Sequence, residues 1–271
     1  MKIPFTKYQA TGNDYVYIDC LSGENYDFEN LSREISRYHY GVGSDGAVFI
    51  CKSDVADAKM RMFNSDGSEG KNCGNALRCI ADYILNSKKN DTARIKIETL
   101  SGIKTVTLEN DGLYSVDMSE CSRYSENDLS MPLDDYPLIV DERVFLVNSV
   151  FVGNPHCIVF DIPDDYRKIG KAIENNSLFK NKTNVEFVKI RSNRIDCAVW
   201  ERGTGETMSC GSGACAVAFL STKKKYFRAN EWIKIKMKGG NLFVKITDDD
   251  HAILKGAVEK VFTGIYEQND I

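Results

Sequence analysis

Cys73 and Cys210 are the residues whose setting suggests chemistry. Each closes a segment that opens on an aromatic residue and carries a glutamate four positions before the cysteine. The first is Phe63-Asn64-Ser65-Asp66-Gly67-Ser68-Glu69-Gly70-Lys71-Asn72-Cys73-Gly74-Asn75, and the second is Trp200-Glu201-Arg202-Gly203-Thr204-Gly205-Glu206-Thr207-Met208-Ser209-Cys210-Gly211-Ser212. In both, turn-forming residues precede the cysteine, and a run that is apolar nearly all round follows it, at 76–85 and 214–220. A thiol just ahead of a helix sits among free backbone N–H groups at the positive end of the helix dipole. Such a setting binds anions and eases thiol ionisation. Gly74 and Gly211 let the backbone approach a ligand closely. Two thiols placed equivalently in two similar halves can serve one carbon from opposite faces. One thiolate removes a Cα proton, the opposed thiol returns one, and the configuration inverts. The two helix starts would hold the charge that develops on the substrate carboxylate. The scheme requires no cofactor and no metal.

The elements that must position these cysteines repeat as well. Gly12-Asn13 recurs as Gly153-Asn154, and Ile95-Lys96-Ile97 with Gly102 recurs as Ile233-Lys234-Ile235 with Gly240. Ordered matches at nearly constant offset imply two halves of one design, joined near 119–140 where Ser, Asp, Glu and Pro cluster. Strand-like alternation leads into each segment: Met60 and Met62 point one way, Lys59 and Arg61 the other, and 195–200 is a second such run. A helix apolar on all sides is buried. Alternating stretches at 94–98 and 232–237 follow it. The expected fold is α+β, with two pseudo-symmetric domains, each a β-barrel-like mixed sheet wrapped around a buried central helix. The first domain spans 1–119 and is completed by the last strand, about 262–271. The second spans 120–261, and the active site lies at the interface.

Composition removes several function classes. The chain has 271 residues, 42% apolar and 27% charged, and a net charge of −4, so it has material for a sizeable core and no reason to seek nucleic acid. The one dense basic run, Lys223-Lys224-Lys225, follows an apolar helical stretch and reads as a helix C-terminus facing water. No window approaches the roughly 18 apolar residues of a membrane span, and residues 1–8 contain no signal-peptide core. Nine cysteines, an odd number without Cys-x-x-Cys spacing, fit a reducing cytoplasm better than a disulfide framework. With three histidines in all, a structural zinc site is not expected.

The sequence resembles the diaminopimelate epimerase family of cofactor-independent, two-cysteine racemases over essentially its whole length. The resemblance rests on Thr11-Gly12-Asn13-Asp14-Tyr15, on Phe63 to Glu69, on Cys73-Gly74-Asn75 and on Gly153-Asn154-Pro155-His156-Cys157. Asn184-Val185-Glu186-Phe187 and the run from Glu201 to Cys215 complete it. It implies conversion of LL-2,6-diaminopimelate to the meso form, on the lysine and peptidoglycan path, with Cys73 and Cys210 as the catalytic pair. Asn13, Asn64, Asn154, Asn184 and Arg202 match positions that hold the two ends of the substrate. Gly74-Asn75 and Gly211-Ser212 match the cradle for the reacting carboxylate. Glu201 and His156 match polar residues lining the site, Glu201 toward an ammonium. The family also implies a homodimer. The residue types suit a substrate with two zwitterionic ends, because a guanidinium grips a carboxylate bidentately and side-chain amides both donate and accept.

Two positions depart from the family pattern. Gly46 stands where some members carry Gln, and Tyr15 where Phe is usual. They leave room for a neighbouring specificity, lanthionine or histidine among them. Other classes also compete. A cysteine hydrolase would use His156 as the base, and a non-catalytic amino-acid binding protein would need neither thiol. Gly41-x-Gly43-x-x-Gly46 matches a dinucleotide fingerprint by letter, but a helix-like run precedes it and an apolar strand follows, the reverse of what that fingerprint needs. Asn64-x-Asp66-Gly67 lacks the further ligands of a calcium loop and reads as a turn.

Overall fold

The computed structural model describes residues 1–71, 73–88 and 93–268; Asn72 and the tip of the last predicted strand, 269–271, lie outside the described residues. Contacts divide the chain into two units, Met1–Val116 with Gly256–Ile271, and Asp117–Lys255.

The first unit begins with a hairpin, β1 (Lys2–Ala10) and β2 (Asn13–Cys20), and continues through α1 (Phe28–Ser36) to β3 (Gly46–Cys51), which pairs parallel to β2. β4 (Ala58–Asn64) returns antiparallel to β3. A two-residue strand, β5 (Glu69–Gly70), and α2 (Gly74–Lys88) then cross over to β6 (Arg94–Thr99), parallel to β4. β7 (Gly102–Leu108) and β8 (Tyr114–Glu120) complete the series. The crossover helices lie on opposite sides of the sheet. α1, capped by the Asp27 carboxylate on the Asn30 N–H, packs Leu31 and Ile35 on Val16, Ile18, Phe49 and Phe63. α2 packs against β1, β6 and β7, strands far apart in the order, so the sheet curls around it. β3 is therefore covered on both faces, which is why Gly46-Ala47-Val48-Phe49-Ile50 shows no alternation and is buried throughout. β4 alternates as predicted, Met60 and Met62 inward. The hydroxyls of Tyr8 and Tyr114 both donate to Asp82 at 2.9 Å, tying α2 to β1 and β8.

The second unit runs through the same order. β9 (Tyr136–Val140) pairs with β10 (Arg143–Phe151), which forms a hairpin with β11 (Pro155–Val159). α3 (Tyr166–Glu174) crosses to β12 (Asn184–Ile190), parallel to β11. β13 (Ile195–Glu201) returns antiparallel. β14 (Gly205–Glu206) and α4 (Gly211–Lys223) cross to β15 (Ile233–Met237), parallel to β13. β16 (Gly240–Ile246) and β17 (His251–Gly256) follow. α4 touches β10, β11, β12, β15 and β16, and every residue from Gly213 to Ser221 is buried. The α+β reading of two like halves, each a curled mixed sheet around an apolar helix, describes this architecture.

The boundary read from the sequence needs correction. It assigned 256–261 to the second half and began the closing strand near 262. The final strand, β18, is Glu259–Glu267, and it pairs antiparallel along nearly all of β1, from Lys2↔Glu267 to Gln9↔Glu259. Residues 256–261 therefore belong to the first unit. The lysine run also differs from a merely solvated face. Lys224, the C-cap of α4, is largely buried and pairs with Asp134 at 3.1 Å and Asp135 at 2.8 Å, while Lys223 pairs with Asp250 at 2.7 Å.

Candidate active site

In the first unit Cys73 occupies the cap position of α2, and its carbonyl accepts the Leu77 N–H at 3.0 Å. Its thiol points to Asn13 Oδ1 at 3.9 Å. The same oxygen accepts from Asn75 Nδ2 at 3.3 Å, and Asn75 Oδ1 accepts from Arg78 Nη2 at 2.8 Å. On its far side Asn13 Nδ2 donates to Asp45 Oδ2 at 2.8 Å. Asn13, Cys73, Gly74 and Asn75 are thus held together, by a chain running from the Asp45 carboxylate to the buried Arg78 guanidinium. Asn64 is set beside them by strand register, since Tyr15, Gly46 and Asn64 lie abreast on β2, β3 and β4. Its amide donates to Ser68 Oγ at 2.9 Å across the Asp66-Gly67 turn, and the Ser65 N–H is held by the Asp45 carbonyl at 3.0 Å.

The two departures at this end are one feature. A Cβ built on Gly46 would lie 2.1 Å from the Phe63 carbonyl oxygen and 2.7 Å from Tyr15 Cε1. The Tyr15 ring, 6% exposed, fills space that a side chain at 46 would enter. The glycine run itself leads from α1 into β3, in the reversed order read from the sequence.

In the second unit Cys210 is the N-cap of α4, with its carbonyl accepting from Ala214 N at 2.9 Å. Its sulfur accepts the Gly213 N–H at 3.4 Å and lies 3.5 Å from Ser212 Oγ. The sequence reading expects the helix start to ease ionisation, and that expectation is corrected for Cys210. Burial pushes this thiol well above its ordinary value, with Glu201 and Glu186 adding to the rise, and the bonds from Ser212 and Gly213 offset only part of it. Desolvation of a thiolate outweighs one helix end.

Beneath α4 lies a polar chain, fully buried at Glu186 and His156 and half-buried at Asn154. Glu186 Oε1 contacts His156 Nδ1 at 2.8 Å, and His156 Nε2 contacts Asn154 Oδ1 at 2.9 Å. Glu186 and His156 are essentially inaccessible, and Glu186 Oε2 has no hydrogen-bond partner among the described residues. With both ring nitrogens engaged, His156 is not placed as the base that a cysteine hydrolase would need. Asn184, abreast of His156 in register, donates to the Pro155 carbonyl at 2.9 Å and accepts the Arg202 backbone N–H at 3.0 Å. Glu201 accepts from Thr207 Oγ1 at 2.5 Å. The Arg202 side chain is exposed, with Nη1 on the Asn181 carbonyl at 3.1 Å.

Three residues escaped the sequence reading: Asp45, which fixes Asn13; Arg78, which fixes Asn75; and Glu186, which fixes His156. Each lay inside a segment already singled out, the glycine run, the central helix and the Asn-Val-Glu-Phe motif, but read as turn, helix and strand. Among the described residues no three His, Cys, Asp or Glu side chains gather as a metal site, and no helix is long and apolar enough to cross a membrane.

Comparison with known proteins adds the following. The family model described as diaminopimelate epimerase matches residues 5–124 and 148–261. The diaminopimelate epimerase of Methanococcus maripaludis strain C6 is 41% identical over 275 residues, covering 96% of this chain and 98% of its own length. That of Phocaeicola vulgatus is 39% identical over 279 residues, covering 98% of each. Among solved structures, a phenazine biosynthesis protein of the PhzF family from Bacillus anthracis superposes with a TM-score of 0.73 at 16% identity, covering 98% of this chain and 99% of that one. A hydroxyproline epimerase from Agrobacterium vitis, with trans-4-OH-L-proline bound, gives 0.69 at 11% identity, covering 99% and 93%. At such identities the structural likeness concerns the fold.

Proposed function

This chain belongs to the diaminopimelate epimerase family and is an isomerase, and on that footing we propose that it converts LL-2,6-diaminopimelate to the meso form by proton transfer between Cys73 and Cys210. The observation that carries the reading is the duplicated cap: in each unit one cysteine sits at the start of the central helix, beside a Gly-Asn or Gly-Ser pair. Burial, Glu201 and Glu186 oppose ionisation of Cys210, which supports assigning it as the proton donor in this direction. Cys73 is then the base that takes the Cα proton. The backbone N–H groups after each cysteine receive the carboxylate as charge builds on it. Arg202 binds the distal carboxylate bidentately, Glu201 faces an ammonium, and the amides of Asn13, Asn64, Asn154 and Asn184 bind the remaining polar groups. The scheme uses no pyridoxal phosphate and no metal.

The test is Cα–H exchange in D₂O under reducing conditions, with LL-diaminopimelate, meso-lanthionine, L-histidine, L-glutamate and L-proline offered separately. Deuterium should enter diaminopimelate with inversion, and none of its rivals should react. Cys73→Ala and Cys210→Ala should each lower turnover by about 10²–10⁴-fold, the usual worth of a general acid or base, with circular dichroism unchanged. Inversion of another substrate instead would overturn the substrate assignment, and normal turnover in either variant would overturn the two-base scheme.

A further inference from the structure

Two further cysteines lie side by side within the first unit. Cys20 and Cys51 end β2 and β3 and are direct register partners across that parallel pair. Side chains of register partners share a face. Cys20 is buried in the cluster under α1, and Cys51 packs against the same cluster while remaining half-buried. Neighbouring strands lie about 4.8 Å apart, inside the roughly 4.4–6.8 Å Cα separation that a disulfide spans.

We infer that Cys20 and Cys51 form a second reactive thiol pair, which closes to a disulfide when a peroxide oxidises Cys51. The surroundings divide the roles. The Cys20 thiol donates to the Cys51 sulfur, and this bond, with Arg61 and Lys59 of β4 nearby, lowers the Cys51 thiol from its ordinary value. Burial and the Glu69 carboxylate oppose that change. Donating that bond, burial, Glu24 and Asp19 all hold Cys20 as the neutral thiol. Cys51, the half-buried member with two cations nearby, is the attacking sulfur, and the buried Cys20 is the resolving one. Cys51 is half-buried whereas Cys20 is buried, so Cys51 is the thiol of the pair that a small oxidant reaches first.

The chemistry balances with a peroxide as sole oxidant. The Cys51 thiolate attacks one peroxide oxygen, the O–O bond breaks, hydroxide leaves, and Cys51 becomes a sulfenic acid. The Cys20 sulfur then attacks Cys51, the S–O bond breaks, and the Cys20 proton leaves with that hydroxide as water. Two thiols lose two electrons and hydrogen peroxide becomes two waters. The bond forms at the opposite end of β2 and β3 from Asn13 and Gly46, about 20 Å away at the rise of a strand, and so leaves Asn13 and its Asp45 anchor in place.

Tryptic cleavage isolates each thiol, since residues 8–33 contain only Cys20 and residues 38–52 only Cys51. The full-length protein is titrated with hydrogen peroxide, alkylated and mapped without reduction. The expected result is peptide 8–33 linked to 38–52, released by dithiothreitol, with a melting temperature higher in the linked than in the reduced protein. In Cys20→Ser the link should vanish and Cys51 should proceed to the sulfinic acid. The wild-type map alone decides the matter if a variant misfolds. An unmodified Cys51, a Cys51 sulfinic acid without the link, or a Cys20 bonded to another cysteine would each overturn the inference.

Discussion

Replacing Glu186 with glutamine removes a negative charge from beneath the first turn of α4 while nearly preserving shape. A Cβ built on Gly213 would lie 2.5 Å from Glu186 Oε1 and 3.3 Å from Cys210 Cβ. The carboxylate and that carbon are therefore within about 6 Å of each other, since the two spans add to no more. A unit charge at that range contributes about 3 kcal/mol at an effective dielectric near 20. The sign follows from the charge. Glu186 opposes the thiolate, so its removal lowers the Cys210 thiol toward its ordinary value. The assay is the rate of carboxamidomethylation at Cys210 against pH, read by tandem mass spectrometry in wild type and Glu186→Gln. The inflection should move to lower pH, and the limb of the pH–rate profile that reports loss of the Cys210 proton should move with it. An inflection that stays put, or moves to higher pH, would show that the charge of Glu186 does not act on Cys210.

Two further perturbations test the scaffolding of each cap. Gly213→Ala drives a methyl against Glu186 Oε1 and Cys210 Cβ; urea denaturation should show a loss of roughly 1–3 kcal/mol from overpacking, with kcat falling more than KM rises. Asp45→Ala leaves the Asn13 amide and the Asp14 N–H without their common acceptor. KM for the substrate should then rise while the melting temperature falls only modestly, because Asp45 is exposed, and an unchanged KM would remove Asn13 from the binding set.

Much of this was legible because the cysteine segments occur twice. A single turn with a cysteine before a helix is unremarkable; two copies with matching strands around them define central helices, and α2 and α4 begin at Gly74 and Gly211, directly after Cys73 and Cys210. Periodicity also served where a strand has unlike faces, as in β4. It failed where both faces are covered. In β12 all of Asn184 to Val188 is buried, so Glu186 could not be told from an outward polar residue, and its bond to His156 depends on a parallel neighbour that no local pattern names. The pairing of β18 with β1 is equally non-local, which explains why residues 256–261 were assigned to the wrong half. The state of Cys210 was misread because a helix start is visible in sequence, whereas burial and the approach of Glu201 and Glu186 are products of the fold.

The pairing of β18 with β1 also bears on how the chain is made. The ribosome delivers β1 first and its partner strand, Glu259–Glu267, only after all of Asp117–Lys255 has emerged. The second unit is continuous in sequence and has all its strands as soon as it leaves the exit tunnel. The first must wait with one side of β1 unpaired, an open edge of the kind that invites strand exchange and aggregation. Vectorial synthesis thus reverses the order of completion: the half that is translated first is the half that finishes last. Released chains truncated before residue 259 should carry a protease-resistant second unit and a chaperone-dependent first one.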